Sequence, residues 1–293
     1  MRGMLVVDFS RYLPGAFASR ELLELGARVV CVEPPGGDPL RSSAPAWDAA
    51  LRTGKESLEL DLKHDPAPAL ELMAEADVVL ESFRPGVASR LGIGPEHVPE
   101  DTVYCSITGF GSGGRHEQRA GHDLNYLGWA GALWDTAPGL PPVQVADLAA
   151  GALGAVTKIL AALLERQRTG KGAHVVVSMT HGSHRLVAHR LGGDAVPRLL
   201  TGGLACYRIY ETSDGRHLTV AALEHVFFRR LTELLGRPEL AERQFDNDQE
   251  TLAAELAVIF AERPLAEWLE LFDGEDVCVG PVASIAEAAT ELG

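Results

Sequence analysis

The sequence predicts an α/β fold with a large doubly wound domain followed by a smaller α+β domain. Three observations predict it. Through the first half, apolar runs of about four to seven residues alternate with helix-length segments, the pattern of parallel strands covered on both faces. A stretch mixing Gly, His and Arg then breaks the periodicity. Beyond it, two strand-like runs flank a turn signal, as an antiparallel hairpin would.

LVVDFS (5–10) is the first strand, and PGAFASRELLELGA follows as a helix. RVVCVEPP is the second strand. A polar passage rich in Pro and Gly runs from Pro34 to about Gly54 before the third strand, SLELDLK. A short helix near 66–76 precedes the strand DVVLESF, the turn RPGVASRLGI and the strand VYCSITGFG. Helices at 121–133 and 147–168 lead to the strand AHVVVSM at 173–179. This alternation predicts a Rossmann-like sheet in a large domain over 1–185. HGSHRLVAHRLGGDAVPRLLTGGL (181–204) has little periodicity and places a linker at 186–204. The small domain, 205–293, opens with YRIYET and HLTVAAL around SDG. Helices at 224–236, 248–262 and 265–273 follow, and then the strand VCVGPVAS.

Composition narrows the function classes. Lys and Arg total 26 against 41 Asp and Glu, a formal charge of −15, which repels polyphosphate backbones and argues against nucleic acid as a partner. Four scattered cysteines without paired spacing argue for a reducing compartment, and against a disulfide framework or a metal site. The start, MRGMLVVDFS, has no long apolar core and carries Asp8, so no signal peptide is expected. The run ADLAAGALGAVTKILAALLE contains Asp147 and Lys158 and reads as a buried helix, not a membrane span. A cytoplasmic protein is the expectation.

GFGSGG (109–114) satisfies G-x-G-x-x-G after a strand, but it opens the polar RHEQRAGH where an apolar helix is required. No acidic residue ends a following strand either, so a turn beside a ligand is the better reading. Three ionisable residues are set against apolar sequence: His122, Asp147 and Glu224. Each has an ordinary structural explanation. Asp147 can be an N-cap, Glu224 can complement a helix dipole, and His122 can be a half-buried imidazole. On spacing alone the three remain separate.

Several longer stretches carry a resemblance that runs almost end to end. LPGAFASRELLELGARVVCVE, TGKESLELDLK, ESFRPGVASRLG, SITGFG, AGHDLNY, RTGKGAHVVVSM, YRIYETSDGRHLTVAALE and EWLELFDGEDVCVGPV resemble the α-methylacyl-CoA racemases of the class III CoA-transferase (CaiB/BaiF) superfamily. AGHDLNY is the most discriminating, because racemase-type members carry GHD[IL]NY. The resemblance implies an interlocked homodimer whose site is shared between subunits. It also implies an acyl-CoA thioester as substrate, with no cofactor beyond the coenzyme A that the thioester carries. Racemisation next to a thioester needs two acid/base groups flanking the α-carbon; the family's pair matches His122 and Asp147, and Glu224 matches the glutamate that orients the imidazole. Backbone N–H groups around Gly121 to Asp123 would face the enolate oxygen.

For the phosphates of CoA, Lys55, Arg84 and Arg90 are the candidate donors. The resemblance places the adenosine end near Glu59, Leu60 and Leu62. It places the thioester end near Ala120, Gly121, Asp123, Asn125 and Tyr126. Two other readings stand beside the racemase. In a CoA-transferase, the Asp147 carboxylate attacks the thioester to form an anhydride; in a binding protein, acyl-CoA is held without turnover. The chain departs from the pattern at Pro34, where racemases carry arginine. It has only four methionines to support an acyl chain, and it ends at Gly293, where the family's pattern continues past the position of Glu291.

Overall fold

Valine-rich runs that are apolar at every position need cover on both faces, and the first unit supplies it. In a computed structural model of the protein, residues 1–193, 196 and 198–292 are described. They divide into two units, Met1–Leu191 and Gly192–Gly293. The first begins β1 (Leu5–Asp8), α1 (Tyr12–Glu24), β2 (Arg28–Glu33), α2 (Pro39–Ser43), α3 (Pro45–Arg52) and β3 (Glu56–Glu59). It continues with α4 (Ala67–Ala74), β4 (Val78–Glu81), α5 (Val87–Arg90), β5 (Val103–Thr108) and α6 (Asp123–Ala130). A π-helical segment, Ala146–Leu153, runs into α7 (Gly154–Thr169), followed by β6 (Ala173–Ser178) and α8 (Met179–Val187).

The six strands are all parallel, in the order β3-β2-β1-β4-β5-β6. Every residue of β1, β4 and β5 is buried. Successive residues enter opposite layers, as the two-residue period of a strand requires. Val6, Val78 and Leu80 join the core containing Leu22 and Ile159, whereas Val7 and Val79 join the core containing Met73 and Tyr104. The chain lays β2 and β3 on one side of β1 and β4 to β6 on the other. The sheet therefore has a topological switch point between β1 and β4, where open α/β sheets leave a crevice beyond the strand ends.

The Pro34–Gly54 passage is more ordered than its composition implied. Asp38 caps α2 by accepting from the Leu40 N–H at 2.7 Å, and Pro39 and Pro45 occupy first turns, where a missing N–H costs nothing. Arg41 and Arg52 then tie α2 and α3 to β2. Arg41 reaches Glu33 at 2.9 Å and Asp48 at 3.0 Å, and Arg52 pairs with Glu33 and Asp48. The helical run Ala146–Thr169 is long and apolar enough to cross a membrane by length and composition. Its Ala155, Ile159 and Leu163 belong to the first unit's core.

The expected linker at 186–204 needs correction at both ends. Residues through Val187 continue α8, whose start is capped by Ser178 accepting from the His181 N–H. At the other end Leu204 is already a core residue of the second unit, alongside Phe228, Leu256 and Trp268. Asp194, Ala195 and Pro197, within that span, and Gly293 lie outside the described residues. The second unit comprises β7 (Tyr207–Glu211), β8 (His217–Ala221), α9 (His225–Leu234), α10 (Gln249–Phe260), α11 (Leu265–Phe272), β9 (Val279–Pro281) and α12 (Ile285–Leu292). Its strands pair antiparallel in the order β7-β8-β9.

Candidate active site

A cleft of about 680 Å³ opens at the switch point of the first unit. Its floor comes from the segments that leave β1 and β4, Arg11–Pro14 and Ser82–Pro85. These two are latched together. The Ser82 hydroxyl accepts from the Arg11 N–H at 2.8 Å and donates to the Arg11 carbonyl at 3.1 Å. The Arg11 guanidinium is committed to the carbonyls of Phe9, Ser10 and Val32, each at 3.1 Å, and lies over the Phe83 ring. Tyr12, next to it, takes a left-handed φ of 62°, a conformation unusual outside glycine. Its N–H is held by the Asp38 carboxylate at 3.2 Å.

His122 and Asp147 both line this cleft. His122 is exposed at the N-cap of α6, with extended backbone and its N–H bonded to the Asn125 side chain at 3.1 Å. That bond removes the His122 N–H from the set expected to face an enolate oxygen. The N–H groups of Asp123 and Leu124, at the start of α6, have no hydrogen-bond acceptor among the described residues. Gly121 has a packing reason as well. A Cβ there would stand 2.7 Å from Cε1 of Tyr126, whose hydroxyl donates back to the Gly121 carbonyl at 2.5 Å. A Cβ at Gly109, from the GFGSGG turn, would meet the same ring edge at 2.5 Å. The histidine thus follows a glycine because the Tyr126 ring occupies the space a side chain would need.

Asp147 lies in the first turn of the π-helical segment, and its side chain caps nothing. Its own N–H instead donates to the Asp123 carboxylate at 2.9 Å, across from α6. Burial, and then the neighbouring Asp123 charge, push the Asp147 carboxyl up to about 7. A carboxyl so placed exchanges its proton near neutrality, which suits a general acid or base. Arg84, Ala120, Asp123, Asn125 and Tyr126 line the cleft too, as Gly121 does.

The remaining candidates lie elsewhere. The Lys55 ammonium turns inward, donating at 2.7 Å to both the Ala16 carbonyl and the Ser19 hydroxyl, beside Asp8 and Cys31. Lys55 does not line the cleft. Leu62 is a core residue, 8% exposed. Glu59 ends the edge strand β3, Leu60 bonds through its N–H to the Glu33 carbonyl, and Arg90 is exposed at the end of α5; none of these lines the cleft. Glu224 belongs to the second unit, exposed at the N-cap of α9, and its carboxylate accepts no hydrogen bond among the described residues.

The cleft residues that escaped the sequence reading include Arg11, Trp47, Arg119 and Gln144. Arg11 had a findable signal, since it directly follows the first strand. Arg119 lies 5.1 Å over the Trp129 ring, a contact that spacing did not announce. Among the described residues, no group of three or more His, Cys, Asp or Glu side chains is placed to hold a metal ion.

Comparison with known proteins joins this geometry to a family. The model of CoA-transferase family III matches residues 1–292. Human α-methylacyl-CoA racemase is 36% identical over 308 residues, covering 98% of this chain and 78% of that protein. The acetyl-CoA:oxalate CoA-transferase of Acetobacter aceti is 34% identical, covering 98% of this chain and 82% of that protein. Among solved structures, Rv3272 of Mycobacterium tuberculosis superposes with a TM-score of 0.82 at 29% identity, covering 99% of this chain and 84% of that one.

Proposed function

The chain belongs to CoA-transferase family III, whose members act on CoA thioesters, and from that premise we propose that it racemises the α-carbon of a 2-methylacyl-CoA. One observation carries the reading: His122 and Asp147 face one cleft, and Asp147 holds a proton that is exchangeable near neutral pH. In this reading one of the two removes the α-proton from one face while the other delivers a proton to the opposite face. Between these steps the thioester oxygen carries the enolate charge. The Asp123 and Leu124 N–H groups, at the positive end of α6, are the donors that meet it. Glu224, with its carboxylate unengaged, orients the imidazole of the partner subunit's His122.

A second reading has support in the 34% identity to the oxalate CoA-transferase: Asp147 attacks a thioester and CoA passes to an acid. His122 lines the same cleft and has no required role in that reaction, which favours the proton-transfer reading. Incubation with a chiral 2-methylacyl-CoA in D2O, without an acceptor acid, separates the two. Deuterium at the α-carbon with loss of optical purity is the expected result. His122→Ala is expected to abolish that exchange. Exchange of CoA only when a free carboxylic acid is added would replace the racemase with the transferase.

A further inference from the structure

Asp123 makes a contact that the two-base scheme does not require. It sits in the first turn of α6, and its carboxylate reaches 24 residues along the chain to accept the Asp147 N–H at 2.9 Å. Asp147 begins a π-helical segment in which the usual i→i+4 ladder is replaced. The first N–H groups of any helix lack intrahelical partners; for Asp147 that partner is a side chain from another helix. A second negative charge therefore stands beside a carboxyl that burial already disfavours as an anion. Resting on the reading of Asp147 as a proton-transfer group, we infer that the Asp123 side chain is its positioning residue. It fixes where the π-helical turn begins and sets the charge state in which Asp147 meets a substrate.

Two further observations agree. The Asp147 carboxyl is pushed up by burial first and by Asp123 second, with no other charge acting on it appreciably. Burial pushes the Tyr126 phenol up to about 12, with Asp147 and Asp123 adding to the effect and Arg84 opposing it. The other ionisable groups around the cleft are Arg11, Tyr12, Glu117, Arg119 and His122. Arg11 is spent on backbone carbonyls and Arg119 lies over Trp129. Glu117 accepts the Gly113 N–H.

Two substitutions separate the contributions. Asp123→Asn keeps an oxygen for the Asp147 N–H and removes the charge, whereas Asp123→Ala removes both. In protein labelled with 13C at the aspartate carboxyls, the Asp147 resonance is assigned by its loss in Asp147→Asn. Its titration midpoint is expected to fall by about one pH unit in Asp123→Asn, the scale of a like charge removed from a partly desolvated site. The pH at which α-proton exchange is half-maximal should fall with it. Asp123→Ala is expected to lose at least about tenfold more in kcat than Asp123→Asn, because the turn is then free to shift. An unmoved midpoint in Asp123→Asn overturns the charge-setting role, and equal kcat in the two variants overturns the positioning role. The carboxyl titration is readable without turnover, so an unmodified protein that exchanges no α-proton would sink the racemase reading and leave this inference standing or falling on the resonance alone. Should Asp123→Ala fail to fold, Asp123→Asn still decides the charge.

Discussion

Replacing Asp147 with Asn should make the first unit more stable at alkaline pH and leave it nearly unaltered in acid. The carboxyl is held at about 7, against 3.8 for an unperturbed aspartate. A group whose folded value is raised binds its proton more tightly when folded, so stability is lost as pH climbs from the unfolded value through the folded one. Below about pH 3 both states are mostly protonated and the residue contributes almost nothing differential. By pH 8 the folded chain buries an anion. At about 1.4 kcal/mol per unit, the full shift corresponds to roughly 4 kcal/mol, of which about 2–3 kcal/mol accrues between pH 5 and pH 8. Asp147 keeps partial contact with solvent, which lowers the expected change to about 2 kcal/mol. Asn cannot ionise, so the difference between the two proteins isolates this group. Hydrogen exchange at the Val78–Leu80 amides reports on the first unit alone. Protection in the variant should exceed that of the unmodified protein by a margin that widens about thirtyfold from pH 5 to pH 8, the equivalent of about 2 kcal/mol. A margin equal at both pH values would refute the claim that the fold holds this proton.

Gly121→Ala should lower stability by about 1–3 kcal/mol, the cost of overpacking, because the Tyr126 ring is wedged between Gly109 and Gly121; thermal unfolding measures it, and an unchanged midpoint would show that the ring can move. Lys55→Met should cost about 1–3 kcal/mol by stranding the Ser19–Asp8 hydrogen bond beside an uncompensated charge, again read by thermal unfolding; a stable variant with a raised KM for acyl-CoA would return Lys55 to the binding site. Arg52→Lys should loosen α3, since one ammonium cannot reproduce a guanidinium that pairs with both Glu33 and Asp48. Faster exchange at the α3 amides, with those of β4 unaltered, is the expected result, and equal rates would contradict it.

The strands were legible because burial on both faces leaves a contiguous apolar run: Val6 and Val7 serve different cores, so neither could be polar. The starts of α6 and of the Ala146 helix were legible from the apolar residues behind His122 and Asp147. What spacing did not carry was who satisfies whom. Asp147 reads as an N-cap acceptor in isolation, yet its N–H is the donor and the acceptor arrives from α6. The π-helical turn was equally hidden. It depends on Gly151 fitting beneath Met179, where a Cβ would stand 3.0 Å from Cγ, a contact between elements distant in sequence. The ion-pair cluster of Arg41 and Arg52 was hidden as well, because a charge pattern does not disclose that Glu33, Asp38 and Asp48 are buried around them.

The serine that joins the two chain segments leaving β1 and β4 gives the cleft floor its character. A single hydroxyl acts as both acceptor and donor toward one residue, so the two segments are tied together at that point. Trp47, Arg119 and Gln144 line the same cleft without taking part in that tie. A change of substrate in this chain is expected to begin at those side chains and leave the Ser82–Arg11 tie in place.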